Sequence, residues 1–136
     1  MLGEDTFADK PWDCLRSLAP RNSGWVKGGR EYTPGLSIVG QQYRAEEAQQ
    51  ALRAKKAGNM ALLVREPGNT HDPNAVAVLV AKSEENSWFW THCGYVERHA
   101  AADLTADWYG DDTFVREASL VNSKRLVLMP KWREYT

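Results

Sequence analysis

The sequence predicts a mainly β fold of the α+β type: a strongly curved antiparallel sheet or small barrel of six strands, covered by two helices. Three observations predict it. Short apolar runs recur along the chain, some alternating with polar residues and some continuously β-branched or aromatic. Most joins between consecutive runs are short and rich in Gly, Asn, Asp and Ser, so neighbours in sequence pair antiparallel. After residue 33, two stretches have helix-forming composition. The resulting order is strand, helix, strand, strand, strand, helix, strand, strand.

Residues 1–33 differ from the rest of the chain, with acidic residues first and then Pro20, Gly24, Gly28 and Gly29 among basic ones. They read as an N-terminal arm preceding a domain over 34–136. Within the arm, Asp9 is placed to cap a short helix starting near Lys10-Pro11, with Trp12, Leu15 and Leu18 on a partial apolar face. Trp25-Val26-Lys27-Gly28-Gly29-Arg30 suits either a nucleic-acid contact or a linker, and Gly-Arg linkers are the commoner use.

The first strand is Leu36 to Gly40, after Pro34-Gly35. From Tyr43 the run Arg-Ala-Glu-Glu-Ala-Gln-Gln-Ala-Leu-Arg-Ala-Lys-Lys-Ala is helix-forming, acidic early and basic late as the helix dipole favours. Gly58 is placed to end it, and Ala45, Ala48 and Leu52 share one face. Met60 to Val64 and Ala75 to Val80 read as two buried strands of a hairpin, and Lys82 to Ser87 as a polar turn. Trp88 to Val96 is the next strand, where Gly94 implies a bulge or a close backbone approach. A second helix over Glu97 to Trp108 is followed by a turn at Tyr109 to Asp112. Thr113 to Val121 and Lys124 to Met129 then form a hairpin about a tight Asn122-Ser123 turn.

At 136 residues the chain is long enough to enclose a core without metal or disulfide staples. A net charge of −1 excludes a protein that coats duplex nucleic acid by bulk electrostatics, so any such contact is local. Two cysteines, Cys14 and Cys93, are too few for a secreted disulfide framework. The first ten residues carry no basic leader or apolar run, and no stretch reaches membrane-spanning length. A cytoplasmic protein without membrane contact is expected.

The most informative stretch is the hairpin loop Arg65-Glu-Pro-Gly-Asn-Thr-His-Asp-Pro-Asn-Ala75. Pro67-Gly68 ends one strand, and Asn69, Asp72 and Asn74 are suited to Asx turns. Pro73 holds Asp72 extended. The loop is longer than a hairpin needs and sets an imidazole beside a carboxylate, which suits a contact surface; turn formation alone is the bland alternative.

Three stretches together resemble the HIRAN domain family, over about residues 36–130. They are Ile38-Val-Gly-Gln-Gln-Tyr43, Leu63-Val-Arg-Glu-Pro-Gly-Asn-Thr-His-Asp-Pro-Asn-Ala-Val-Ala-Val78, and Gly94-Tyr-Val96 opening a helix. The resemblance is to the stand-alone bacterial or phage type, and it implies a small OB-like barrel. Relatives occur in front of fork-remodelling Swi/Snf-type ATPases, alone, or fused to nucleases and helicases.

The resemblance further implies a socket for the 3′ end of single-stranded DNA, in replication, repair or phage DNA metabolism. Tyr43 matches an aromatic that stacks on a base, and His71 stands where end-binding members have a tyrosine. Asp72 matches the carboxylate that accepts from the terminal 3′-hydroxyl. A carboxylate accepts from a hydroxyl and repels a terminal phosphate, so it distinguishes two ends by charge. Arg98 aligns with a basic residue that meets a backbone phosphate. Gln42 replaces an arginine, and Tyr95 replaces a histidine. The implied DNA-binding set is Gln42, Tyr43, Asn69, His71, Asp72, Tyr95 and Arg98.

No catalytic constellation is evident, since His71-Asp72 lacks a nucleophile in an elbow and no nuclease-type carboxylate pattern occurs. No cofactor or metal site is expected either. His92 and Cys93 are adjacent on a strand and face opposite sides, so a buried cysteine and surface histidines are expected rather than zinc. The rival to DNA binding is a protein-interaction module that docks a helicase or nuclease partner through its aromatic face or arm.

Overall fold

A computed structural model describes residues 35–84, 87–107 and 115–128. Its elements are β1 (Leu36–Val39), a 3-10 turn η1 (Gln41–Tyr43), α1 (Glu46–Arg53), β2 (Met60–Arg65), β3 (Val76–Glu84), β4 (Ser87–Val96), α2 (Arg98–Asp107), β5 (Val115–Asn122) and β6 (Arg125–Leu128). The strands close into a six-stranded antiparallel barrel in the order β1-β4-β3-β2-β5-β6, with β6 pairing back to β1. The expected mainly β barrel with two helices is what the chain forms.

Alternation divides the side chains of the central strands between two faces. Ala61 and Leu63 of β2 and Val76, Val78 and Val80 of β3 join Leu36, Ile38, Cys93, Leu120 and Leu126 in a cluster that fills the barrel. Ala48 and Leu52 of α1 and Ala101 and Leu104 of α2 belong to the same cluster, so each helix contributes one face to it. Met60, Leu62, Val64, Ala77, Leu79, Ala81 and Trp90 form a second buried cluster on the other face of β2–β3–β4. Burial on both faces is why β2 and β3 read as continuous apolar runs.

Gly94 provides both features expected of it. The β3–β4 register shifts at Val78/Leu79, where Val78 pairs with Gly94 and Leu79 with His92, leaving Cys93 between them. This bulge moves the strand's phase, so that Cys93 and Val96, three apart, both enter the barrel. A Cβ on Gly94 would lie 2.9 Å from the Val39 carbonyl oxygen, so the close approach of β1 to β4 also requires glycine.

Several boundaries differ from expectation. The first helix starts at Glu46 and ends at Arg53, because Gly58 and Asn59 are already committed to the barrel: the Gly58 N–H donates to the Leu120 carbonyl at 2.8 Å, and the Leu120 N–H to the Asn59 carbonyl at 2.9 Å. Ala45 is exposed at the helix N-cap, while Ala48 and Leu52 are buried as expected. The polar stretch from Lys82 belongs mostly to strands, with Lys82 pairing Phe89 and Glu84 pairing Ser87; hairpin pairing continues past the point where the core stops demanding apolar residues. The last hairpin turns at Ser123-Lys124, one residue later than expected, and the Asn122 Oδ1 accepts from the Lys124 N–H at 2.8 Å. The arm, with the short helix expected in it, and the turn expected at 109–112 lie outside the described residues. Among the described residues no helix is long and apolar enough to cross a membrane.

Candidate nucleic-acid interface

The loop between β2 and β3 is built on Glu66. Two-residue alternation continues the buried face of Leu62 and Val64 to this side chain, which is 2% exposed. Its Oε1 accepts from Asn69 Nδ2 at 2.8 Å and from the Tyr95 hydroxyl at 2.9 Å. Burial raises the Glu66 carboxyl above its ordinary range; the Asn69 and Tyr95 hydrogen bonds and the Arg44 charge oppose that rise. Burial, followed by the charge and hydrogen bond of Glu66, pushes the Tyr95 phenol up.

Asn69 passes this order on to the loop. Its Oδ1 accepts from the N–H groups of His71 at 2.8 Å and Asp72 at 3.0 Å. Asp72 Oδ1 in turn accepts from the Asn74 N–H at 2.9 Å, so the expected Asx turns form at Asn69 and Asp72. Asn74 does something else, since its Oδ1 accepts from Thr105 Oγ1 of α2 at 3.2 Å. Asp72 is half-buried, its second carboxylate oxygen takes no hydrogen bond among the described residues, and the His71 ring is exposed.

Tyr95 joins this loop to the start of the domain. It pairs with Val39, and the chain then turns at Gly40, where a Cβ would sit 3.9 Å from Tyr95 Cδ2. The η1 turn follows, with Gln42 exposed and Tyr43 82% exposed. A tyrosine so exposed adds little to the core, which leaves its ring face open for stacking. Asn69, His71, Asp72 and Tyr95 are thus connected by hydrogen bonds through Glu66, and Gln42 and Tyr43 follow directly from the Gly40–Tyr95 contact.

Arg98 stands apart from that network. It is exposed at the first position of α2, where the preceding Glu97 carboxylate accepts from the N–H groups of His99 at 3.0 Å and Ala100 at 3.2 Å. A cation at the positive end of a helix gains nothing from the dipole, so helix stability does not explain it.

His92 corrects the expectation of surface histidines. It is buried, its Nε2–H donates to the Gly94 carbonyl at 2.9 Å, and its ring meets Tyr95 edge-on at 4.8 Å. Both faces of β4 are covered here, so alternation does not bring the imidazole to solvent. Burial and then the Arg44 charge lower its pKa to about 3, against the Gly94 bond. Cys93 is buried as expected, and burial pushes its thiol up to about 12. His99 is exposed, with Nδ1 2.9 Å from Glu97 Oε2. Among the described residues no group of three or more His, Cys, Asp or Glu is placed to hold a metal ion.

Glu66 and Arg44 are the residues that the sequence reading missed. Arg44 Nε donates to the His92 carbonyl at 3.3 Å, an interaction across the fold with no local signature. Glu66 did have one, as a lone carboxylate in phase with a buried strand face.

A family model described as the HIRAN domain matches residues 33–132. That domain is known as a DNA-binding module and is not itself catalytic. No curated protein and no solved structure matches the chain.

Proposed function

The chain belongs to the HIRAN domain family, and on that premise we propose that it is a non-catalytic binder of single-stranded DNA ends. Tyr43 and His71 stack on bases, Asp72 accepts from the terminal 3′-hydroxyl, and Arg98 meets a backbone phosphate. Asn69 and Tyr95 keep the loop and the η1 side in place, and Gln42 offers an uncharged amide beside Tyr43.

The state of Asp72 carries this reading. One of its oxygens is occupied in shaping the loop, and the other takes no hydrogen bond among the described residues. The carboxylate therefore has an acceptor to spare at a position fixed by Asn69. Acceptance by a charged oxygen is worth about 1.5–3 kcal/mol, and a terminal phosphate at the same place meets repulsion instead. The near-neutral chain fits recognition of one end better than coating of a long strand.

Fluorescence anisotropy with short labelled single strands at low salt tests the proposal. A free 3′-hydroxyl end is expected to bind about tenfold or more tightly than the same strand with a 3′-phosphate. Equal affinity for the two ends refutes end recognition. Absence of binding to both moves the assignment to docking of a helicase or nuclease partner.

A further inference from the structure

A separate groove opens between β1–η1 and the β5–β6 turn, with a volume of about 510 Å³. Gln41, Gln42 and Gln49 line it together with Lys124 and Arg125, and among the described residues no carboxylate does. We infer that this groove is a second subsite, which takes the phosphodiester backbone of the strand upstream of the terminal nucleotide.

Four features support the inference, which rests on the end-binding role proposed above. First, among the described residues neither Lys124 nor Arg125 forms an ion pair. Two cations and the Gln42 carboxamide line one space, while the Gln41 and Gln49 amides donate to the Ser123 and Arg44 carbonyls, and that lining favours an anion that also accepts hydrogen bonds. Second, the walls are fixed. Gln41 Nε2 donates to the Ser123 carbonyl at 2.9 Å, tying η1 to the opposite turn. The Arg125 stem lies against Gly35, where a Cβ would be 3.2 Å from Arg125 Cγ and 2.7 Å from the Leu126 carbonyl oxygen. The close approach of Gly35 to the Leu126 carbonyl, at a positive φ, therefore requires glycine and leaves room for the arginine stem.

Third, the volume falls within the range of about 300–1,000 Å³ that holds small organic ligands, more than a bare ion needs. Val39, 42% exposed, adds an apolar stretch of wall on which a sugar can rest. Fourth, the groove adjoins the end site, because Gln42 lines it and Tyr43 is the next residue of the same 3-10 turn. A strand whose terminal base stacks on Tyr43 has this groove as its adjacent positively charged path. That adjacency favours a nucleic acid over an acidic peptide as the occupant.

The experiment compares the full chain with Lys124→Gln/Arg125→Gln, using 3′-hydroxyl strands from two to twelve nucleotides at several salt concentrations. Each phosphate neutralised on a single strand contributes about −0.7 to the slope of log affinity against log salt. The double variant is expected to bind the dinucleotide as the unaltered chain does. For the long strands its slope should be shallower by about 1.4, with about tenfold weaker binding at low salt. Lys124→Glu, which leaves Arg125 packed on Gly35, should weaken long strands in the same direction. Identical slopes and affinities at every length, with hydroxyl-end preference intact in both proteins, would overturn the groove and leave the end site standing. Failure of the unaltered chain to bind any strand would overturn both. Occupation of the groove by a poly-glutamate peptide, with oligonucleotide binding unchanged by that peptide, would assign it to an acidic protein partner and overturn the inference.

Discussion

Replacing Glu66 separates the two things its carboxyl does, which are to accept two hydrogen bonds and to carry charge where water is scarce. In Glu66→Ala, Asn69 Nδ2 and the Tyr95 hydroxyl both lose their acceptor. An orphaned buried donor costs about 1–3 kcal/mol. Both side chains are half-buried and recover part of that from water, so a total of about 2–4 kcal/mol is expected, or about 10–20 °C in Tm for a domain of this size. Glu66→Gln keeps an acceptor and should lose about 1 kcal/mol or less near neutral pH.

The pH dependence distinguishes the two roles of Glu66. Burial raises its folded pKa above the ordinary 4.5, so the folded chain holds this proton to higher pH than the unfolded chain does. Its contribution to stability is therefore fully present below 4.5 and is lost as pH rises through the raised folded value. Glu66→Gln lacks that loss and should gain on the unaltered chain as pH rises across the window. Urea unfolding followed by tryptophan fluorescence between pH 4 and 8 reads the difference. A gap between the two proteins that stays constant across that range would show that burial does not raise the Glu66 carboxyl, and an alanine variant as stable as the parent would show that Glu66 does not hold the loop. Glu66→Ala should also weaken DNA-end binding, because Asn69 loses the anchor from which it holds the His71 and Asp72 amides.

His92 has the opposite sign. Its folded pKa is about 3 against an ordinary 6.5, so stability from this residue is present above 6.5 and is lost as pH falls towards 3, by up to about 1.4 kcal/mol per pH unit. In His92→Phe the stability-against-pH curve between pH 6 and 4 should lose the slope of one proton, and parallel curves would count against a buried neutral imidazole. Gly94→Ala sets a methyl 2.9 Å from the Val39 oxygen and 3.0 Å from Ile38 Cγ2. Backbone yields poorly, so thermal unfolding should show a loss of about 1–3 kcal/mol, and an unchanged Tm would mean that β1 moves freely away from β4.

The strands were legible because their patterns are local. Leu62-Leu63-Val64 and Val76 to Val80 declare burial on both faces, and Gly94 marks the bulge within an aromatic strand. Those same patterns misled where a second covered face was not apparent, which is why His92 was expected at the surface. The loop motif indicated Asn69, His71 and Asp72, yet the group that holds them is Glu66, whose partner Tyr95 lies 29 residues away. Helix composition ran past Arg53, because propensity carries no information about pairing between Gly58 and Leu120. The groove of Gln41, Lys124 and Arg125 had no sequence signature at all. It exists only because β6 closes the barrel onto β1.

End recognition by Asp72 is tested most sharply by the ratio of 3′-hydroxyl to 3′-phosphate affinity in Asp72→Asn. Asparagine retains an Oδ1 to accept from the Asn74 N–H, so the loop keeps its Asx turn while the charge is removed. The parent should prefer the hydroxyl end by about tenfold or more. In Asp72→Asn, hydroxyl-end binding should persist, weakened to the level of a neutral hydrogen bond, while phosphate-end binding rises until the ratio approaches one. A variant that keeps the parent's preference would show that Asp72 only shapes the loop, and would contradict end recognition by its charge.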